Sequence, residues 1–247
     1  MGTKKLNTTV EVITLKLKSS DFGNERIFIF LGPFGSGKTE LSINFALWRK
    51  KLNKKVSIAD LDIISPYFRV RDHIDFLSKK DITVIAPPKE FMHADLPIIP
   101  PKIMGYITNT DYELIMDIGG ENDGAMVLGM LKDHLSEFGY TCFAVLNTRR
   151  PFYRNEDSIL ELLDRLQSSA KIKINYLINN TNIGKETTVD LIEEGEDLLK
   201  KVSEKSGIPI AFSVIPDFLD SEILIGSEKK FFRIKRFFSN DQIDQEV

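Results

Sequence analysis

The residues best equipped for chemistry are Gly32-Pro33-Phe34-Gly35-Ser36-Gly37-Lys38-Thr39, which follow the spacing Gly-x4-Gly-Lys-Thr. Glycines at these places let the backbone curl until successive N–H groups face inward and form an anion nest. A lysine directly after the last glycine can reach the β- and γ-phosphates of a nucleoside triphosphate, and the next hydroxyl can ligate Mg²⁺. Glu40 follows in the first turn of a helix whose positive end would face the same phosphates. Residues 32–40 are therefore expected to cradle a nucleotide, with Lys38 offsetting phosphate charge and Thr39 on the metal.

Three carboxylates could complete such a site. Asp117 ends an apolar stretch and precedes Ile118-Gly119-Gly120. A carboxylate there can hold Mg²⁺ through water, while the Gly120 N–H can donate to a γ-phosphate. The pattern Asp-x-Gly-Gly is weak by itself and gains weight from its place downstream of a phosphate loop. Asp60 and Asp62 flank Leu61, so on a strand their side chains share one face. Asp60 is expected in the metal shell, and Asp62 is expected to align the water that attacks the γ-phosphate.

The elements needed to position these groups are legible around them. Ile27–Leu31 is apolar throughout, as a buried parallel strand would be. Leu41, Phe45, Trp48 and Leu52 recur at helical spacing, and Arg49, Lys50 and Lys51 follow where cations suit the helix dipole. Further strands are expected at Val10–Leu17, Val56–Ala59, Ile82–Ala86, Leu114–Met116, Cys142–Leu146, Ile174–Ile178 and Ile210–Ile215, the last of the core. Helices are expected over Pro66–Leu77, after Gly120, and over Glu156–Leu166 and Thr188–Lys205. This βαβ rhythm predicts an α/β fold: a doubly wound, mainly parallel sheet between two helical layers, of the P-loop NTPase kind. The 247 residues suit one such domain. Residues 1–25 would add an extension strand, and residues 87–101, with five prolines, an irregular insertion.

Composition narrows the partners. A net charge of −3 argues against nucleic acid, and the single cysteine, Cys142, excludes an internal disulfide or a Cys-x-x-Cys metal site. His73, His93 and His134 are scattered. No signal peptide or spanning segment is visible, so the expected location is cytoplasmic. Residues 229–238, Lys-Lys-Phe-Phe-Arg-Ile-Lys-Arg-Phe-Phe, place Phe231, Ile234 and Phe238 on one face of a helix among basic residues. A basic, aromatic helix of this kind in the 227–247 tail could make a peripheral membrane contact, or the segment could pack on the domain with its cations in solvent.

Taken together, the phosphate loop, the strand ending Asp-x-Asp, the Asp-x-Gly-Gly segment, a strand ending in asparagine and a strand ending Ile-Pro resemble the MinD/ParA/CobQ group of P-loop NTPases, of the SIMIBI class. The resemblance spans roughly residues 26–225. It implies a Mg²⁺-dependent ATPase acting as a slow switch on a protein partner, with a nucleotide-dependent homodimer, and with adenine lying between Asn179-Asn180 and Pro216-Asp217. It implies for Asp60 and Asp62 a switch segment that assists hydrolysis. The chain departs from the group at Pro33, where MinD and ParA carry a lysine that reaches the partner subunit's phosphates. Another cation must then serve, and Arg69, Arg71, Arg149 and Arg150 are the candidates.

The loop is also similar to that of the metal-insertion GTPases UreG and HypB, which would assist metalloenzyme assembly. Guanine is read by Asn-Lys-x-Asp, whose aspartate accepts two donors of the base, whereas the comparable residue here is Asn182. That favours ATP. A third reading is an ATP-dependent, carboxylate-activating enzyme like the CobQ and dethiobiotin-synthetase relatives, with residues 87–101, Arg149 and Arg150 beside the substrate.

Overall fold

The structure, a computed structural model, describes residues 17–52, 54–62, 69–87, 99–119, 122–219 and 230–237. The strand expected at Val10–Leu17 falls almost wholly outside them, as does most of the 87–101 insertion. Within the described residues one parallel sheet runs through the molecule. Its strands are β1 (Ile27–Leu31), β2 (Lys55–Leu61), β3 (Ile82–Ile85), β4 (Tyr112–Ile118), β5 (Thr141–Leu146), β6 (Tyr176–Asn179), β7 (Ile210–Pro216) and β8 (Phe231–Ile234). They lie in the order β3-β2-β4-β1-β5-β6-β7-β8. The helices are α1 (Lys38–Lys51), α2 (Ile74–Lys79), α3 (Ile103–Thr108), α4 (Asn122–Phe138), α5 (Glu156–Ala170) and α6 (Val189–Ser206).

Strand β1 shows how the sequence builds both layers. Ile27, Ile29 and Leu31 face one core with α4 and α5, while Phe28 and Phe30 face the other with α1. A strand buried on both faces needs apolar residues at every position, and all five of its residues are buried. The α1 side is unusually aromatic. Phe45 lies 5.1 Å from Phe28, 5.2 Å from Phe30 and 5.2 Å from Trp48, centroid to centroid. Edge-to-face contacts of this kind add to the area they bury.

Three elements differ from the sequence expectation. The helix expected over Pro66–Leu77 is, where described, a 3-10 turn at Val70–His73 followed by α2. Asp60 accepts the Arg71 N–H at 3.0 Å, which diverts that backbone donor from a helical ladder. Helix α3, which the pattern did not announce, starts just after Pro100-Pro101, with the Pro100 carbonyl accepting the Ile103 N–H at 2.9 Å.

The third difference is the largest. Residues 231–234 are not part of an amphipathic helix but form β8, and β7 is therefore not the last strand. Phe232 and Ile234 point into the aromatic core and Phe231 packs with Ile215 on the opposite face. The alternation has period two, so the apolar residues expected to meet a membrane are the ones buried by the sheet. Phe238 lies outside the described residues. Phe232 is 1% exposed and 5.4 Å from Phe212. A Phe232→Leu substitution is expected to cost about 1–2 kcal/mol. Chemical denaturation would show it, and an unchanged midpoint would contradict this packing.

Among the described residues, no helix is long and apolar enough to cross a membrane.

Candidate nucleotide site

Strand β1 is flanked by β4 and β5, so the chain leaves its carboxyl end at the point where the sheet divides. Ligands of open α/β sheets bind at such a point. Residues 32–37 make the turn there, and α1 begins at Lys38. The loop is closed on itself: the Ser36 N–H donates to the Pro33 carbonyl at 3.2 Å, and Lys38 Nζ donates to the same carbonyl at 2.9 Å. Lys38 is buried, which sets its ammonium inside the curl of the loop. Ser36 is fully buried and its Oγ has no hydrogen-bond partner. A buried hydroxyl without a partner is costly, and an anion seated in the loop would supply one. Phe34 stands out into solvent, 66% exposed.

Asp117 lies at the carboxyl end of β4, directly across from Asp60 on β2. Ser42 on α1 donates to Asp117 Oδ1 at 3.3 Å and to the Lys38 carbonyl at 2.8 Å, fixing the carboxylate against the first turn of α1. Its other oxygen, Oδ2, is buried without a hydrogen-bond partner. Burial, joined by the charge of Asp60, pushes the Asp117 carboxyl up to about 7; Thr39 and Lys38 act in the opposite direction. Among the described residues no cluster of three acidic, histidine or cysteine side chains could by itself hold a metal. Mg²⁺ keeps several waters and takes one or two protein oxygens together with substrate phosphates. Thr39 and the orphaned Asp117 oxygen are the groups that fit it.

Asp60 is differently employed. Arg71 Nε donates to Oδ2 at 2.7 Å and Arg71 Nη2 to Oδ1 at 2.8 Å, with the Asp62 N–H also donating to Oδ1 at 3.2 Å. The carboxylate expected to serve the metal shell is thus committed to an arginine and fully buried. Arg71 Nη2 continues to the Asp62 carbonyl at 2.7 Å, so one side chain braces the whole Asp60-Leu61-Asp62 segment. The Asp62 side chain lies over Gly119: a Cβ there would sit 1.9 Å from Asp62 Oδ1. Only glycine permits that approach. Gly120 lies outside the described residues.

The residues expected around the base divide. Asn180 Nδ2 donates to the Ser36 carbonyl at 2.6 Å, and a Cβ at Gly37 would fall 2.3 Å from that nitrogen. Asn180 therefore braces the phosphate loop from β6. Asn179 is turned inward, donating to the Ile192 carbonyl at 2.9 Å and to Ser213 Oγ at 3.0 Å. Pro216 ends β7 and is buried, and Asp217 is exposed beyond it; Arg233 from β8 donates to the Asp217 and Leu219 carbonyls. The Glu40 side chain accepts the Phe237 N–H, leaving its backbone to the nest.

Sequence reasoning missed Asn147 as an organiser. Its Oδ1 accepts from the Arg149 and Asn182 N–H groups at 3.0 and 3.3 Å, and its Nδ2 donates to the Asn182 carbonyl at 3.0 Å. An asparagine placed directly after a strand was the available signal, since such side chains bond neighbouring backbone. Of the four arginines singled out as cations, Arg69 opens the 3-10 turn with its backbone N–H on Asp72 Oδ2, Arg71 holds Asp60, Arg149 pairs with Glu194, and Arg150 rests on the phosphate loop.

No protein-family model matches the chain, and no curated protein matches it. Solved structures do match. The cell division protein FtsY of Thermotoga maritima superposes with a TM-score of 0.55 at 17% identity, covering 83% of this chain and 68% of that one. This is a P-loop NTPase fold. Signal recognition particle receptor FtsY of Elizabethkingia anophelis, in complex with GDP, shares the P-loop NTPase fold with a TM-score of 0.52 at 13% identity, over 77% of this chain and 57% of that one. FtsY of Mycoplasma mycoides gives 0.50 at 16% identity, over 75% and 58%. The chain thus spans under two thirds of the length of two of these three proteins. At such identities the likeness carries the fold alone, an α/β P-loop NTPase-like fold. The finer resemblance to the MinD/ParA/CobQ group rests on the motifs alone.

Proposed function

We propose that the protein is a Mg²⁺-dependent ATP-binding switch that hydrolyses ATP slowly and presents a different surface to a protein partner in each nucleotide state. The observation that carries this reading is the buried Asp117 oxygen left without a partner against the first turn of α1, beside Lys38 and Thr39. An acid held there is of use when a cation and phosphates join it.

The roles follow from position. The loop amides and Lys38 take phosphate charge, with Lys38 leaving the Pro33 carbonyl to do so. Thr39 and Asp117 hold Mg²⁺, which when bound neutralises charge on the phosphates. Asp62, poised over Gly119, aligns the attacking water, and the Arg71–Asp60 pair positions Asp62. Asn180 keeps the loop in register with the β6 end, near which the base would lie. Release or capture of the Asp62 segment on triphosphate binding would alter the surface beside it.

The choice of adenine rests on Asn182 in place of an aspartate. Its amide donates to the Asn180 carbonyl at 2.7 Å, which leaves an oxygen to accept from a base. A single acceptor suits the adenine amine better than the paired donors of guanine. Membership of the MinD/ParA/CobQ group and nucleotide-dependent pairing of two copies belong to the same proposal.

Titration of wild-type protein with ATP and GTP, with and without Mg²⁺, tests it together with Lys38→Ala. Wild type should prefer ATP, and Lys38→Ala should weaken triphosphate binding at least tenfold. Unchanged binding and turnover in Lys38→Ala would refute the site, and a GTP preference would refute the base. Turnover appearing only when a small carboxylic acid is added would favour the carboxylate-activating alternative.

A further inference from the structure

The site has one cation too few for the ligand proposed above. A Mg²⁺-bound triphosphate keeps roughly two negative charges. Lys38 offsets one, and position 33, where a second lysine could stand, is proline. Arg71 and Arg149 are already paired with Asp60 and Glu194.

Arg150 is placed differently. It belongs to the turn after β5, whose backbone is closed by the Arg150 N–H on the Asn147 carbonyl and the Tyr153 N–H on the Arg150 carbonyl, both at 3.1 Å. Its Nε donates to the Gly35 carbonyl at 2.8 Å. The guanidinium lies along the loop so closely that a Cβ on Gly35 would fall 2.9 Å from Cζ and 3.0 Å from Nη2. Gly35 sits at φ +71°, a left-handed backbone that favours glycine. Arg150 is exposed and forms no ion pair with a carboxylate among the described residues. A guanidinium tethered to a backbone carbonyl exchanges that bond readily for a stronger one to phosphate.

We propose that Arg150 is the second phosphate-binding cation of this site, supplied by the same chain in place of a lysine at position 33. The proposal rests on the nucleotide-binding reading of the phosphate loop. It assigns Arg150 to the charge that a triphosphate has and a diphosphate lacks. Tethering to Gly35 keeps the side chain next to the loop before the ligand arrives, so little rotamer freedom is lost on binding.

The test compares wild type, Arg150→Ala and Arg150→Lys in Mg²⁺ titrations with fluorescent ATP and ADP. Arg150→Ala should lose about tenfold to a hundredfold in triphosphate affinity and under about threefold for diphosphate. Arg150→Lys should fall between. Retained diphosphate binding shows that the variant is folded. An equal loss for both nucleotides would make Arg150 a brace for the loop and overturn the proposal, as would no loss at all. Mixing Arg150→Ala with Lys38→Ala should restore no turnover; recovery would mean that Arg150 acts on a second copy, which overturns its action within one chain. Failure of wild type to bind either nucleotide would instead overturn the nucleotide reading, and that result is visible before any Arg150 variant is made.

Discussion

Asp117→Asn should make the nucleotide-free protein more stable at pH 8 while lowering Mg²⁺-dependent turnover about a hundredfold or more. The two effects have one cause. Asp117 is 1% exposed, faces Asp60 across the sheet, and has one oxygen without a partner. Its carboxyl, raised to about 7 in the folded chain chiefly by burial, titrates near 4 once unfolded. Between those values the folded state binds the extra proton, so this group costs stability as pH rises from about 4 to 7, and the cost stays constant above. An amide carries no charge and escapes the penalty, a gain on the order of 4 kcal/mol at pH 8 that vanishes near pH 4. Denaturation midpoints of both proteins across this range would measure it. A gain independent of pH, or turnover that survives the substitution, would count against the role given to Asp117. By the same sign, Mg²⁺-nucleotide binding in wild type should tighten as pH rises through about 7.

Arg71→Ala is the second large effect. Removing the guanidinium leaves Asp60 fully buried and without the side-chain donors at 2.7 and 2.8 Å; the Arg71 backbone N–H at 3.0 Å remains as long as the turn at 70–73 holds. Breaking a buried pair by deleting one partner costs about 3–5 kcal/mol. Burial works against the charged guanidinium, and the bonds and charge of Asp60 outweigh it. Arg71→Lys should recover only part of the loss, because an ammonium cannot reproduce the two-nitrogen contact. Pairing Arg71→Ala with Asp60→Asn should recover more. Urea denaturation decides the matter, and a cost below about 1 kcal/mol for Arg71→Ala would show that the pair does not hold the segment.

The reach of the sequence differs from one part of the chain to another for physical reasons. The phosphate loop and β1 are local objects: spacing, glycine and unbroken apolar residues are enough to see them. The carboxylates at the ends of β2 and β4 were visible as strand-ending acids, but their division of labour was not. Which of Asp60 and Asp117 is neutralised depends on Arg71, eleven residues after Asp60, folding back through a turn. Strand β8 was misread because Phe-Phe-Arg-Ile is short and apolar, and such a run fits a helix face or a buried strand equally until its neighbours are known. Asn180 was expected at the base because the resemblance to the MinD/ParA/CobQ group implies it. Its hold on the Ser36 carbonyl, 144 residues away, is a tertiary fact with no trace in local pattern.

Lys235 and Asn44 exchange two hydrogen bonds, at 2.8 and 2.9 Å, across 191 residues of chain. Phe237, beyond them, caps Glu40 and packs on His73 and Phe76. A ribosome adding 5–20 residues each second would deliver these partners about 10–40 s after it had made the helix that follows the phosphate loop. Through that interval Phe45 and Trp48 lack the ring of Phe232, and Asn44 lacks the backbone it clasps. The helix that follows the phosphate loop is therefore made well before the strand and turn that complete its packing.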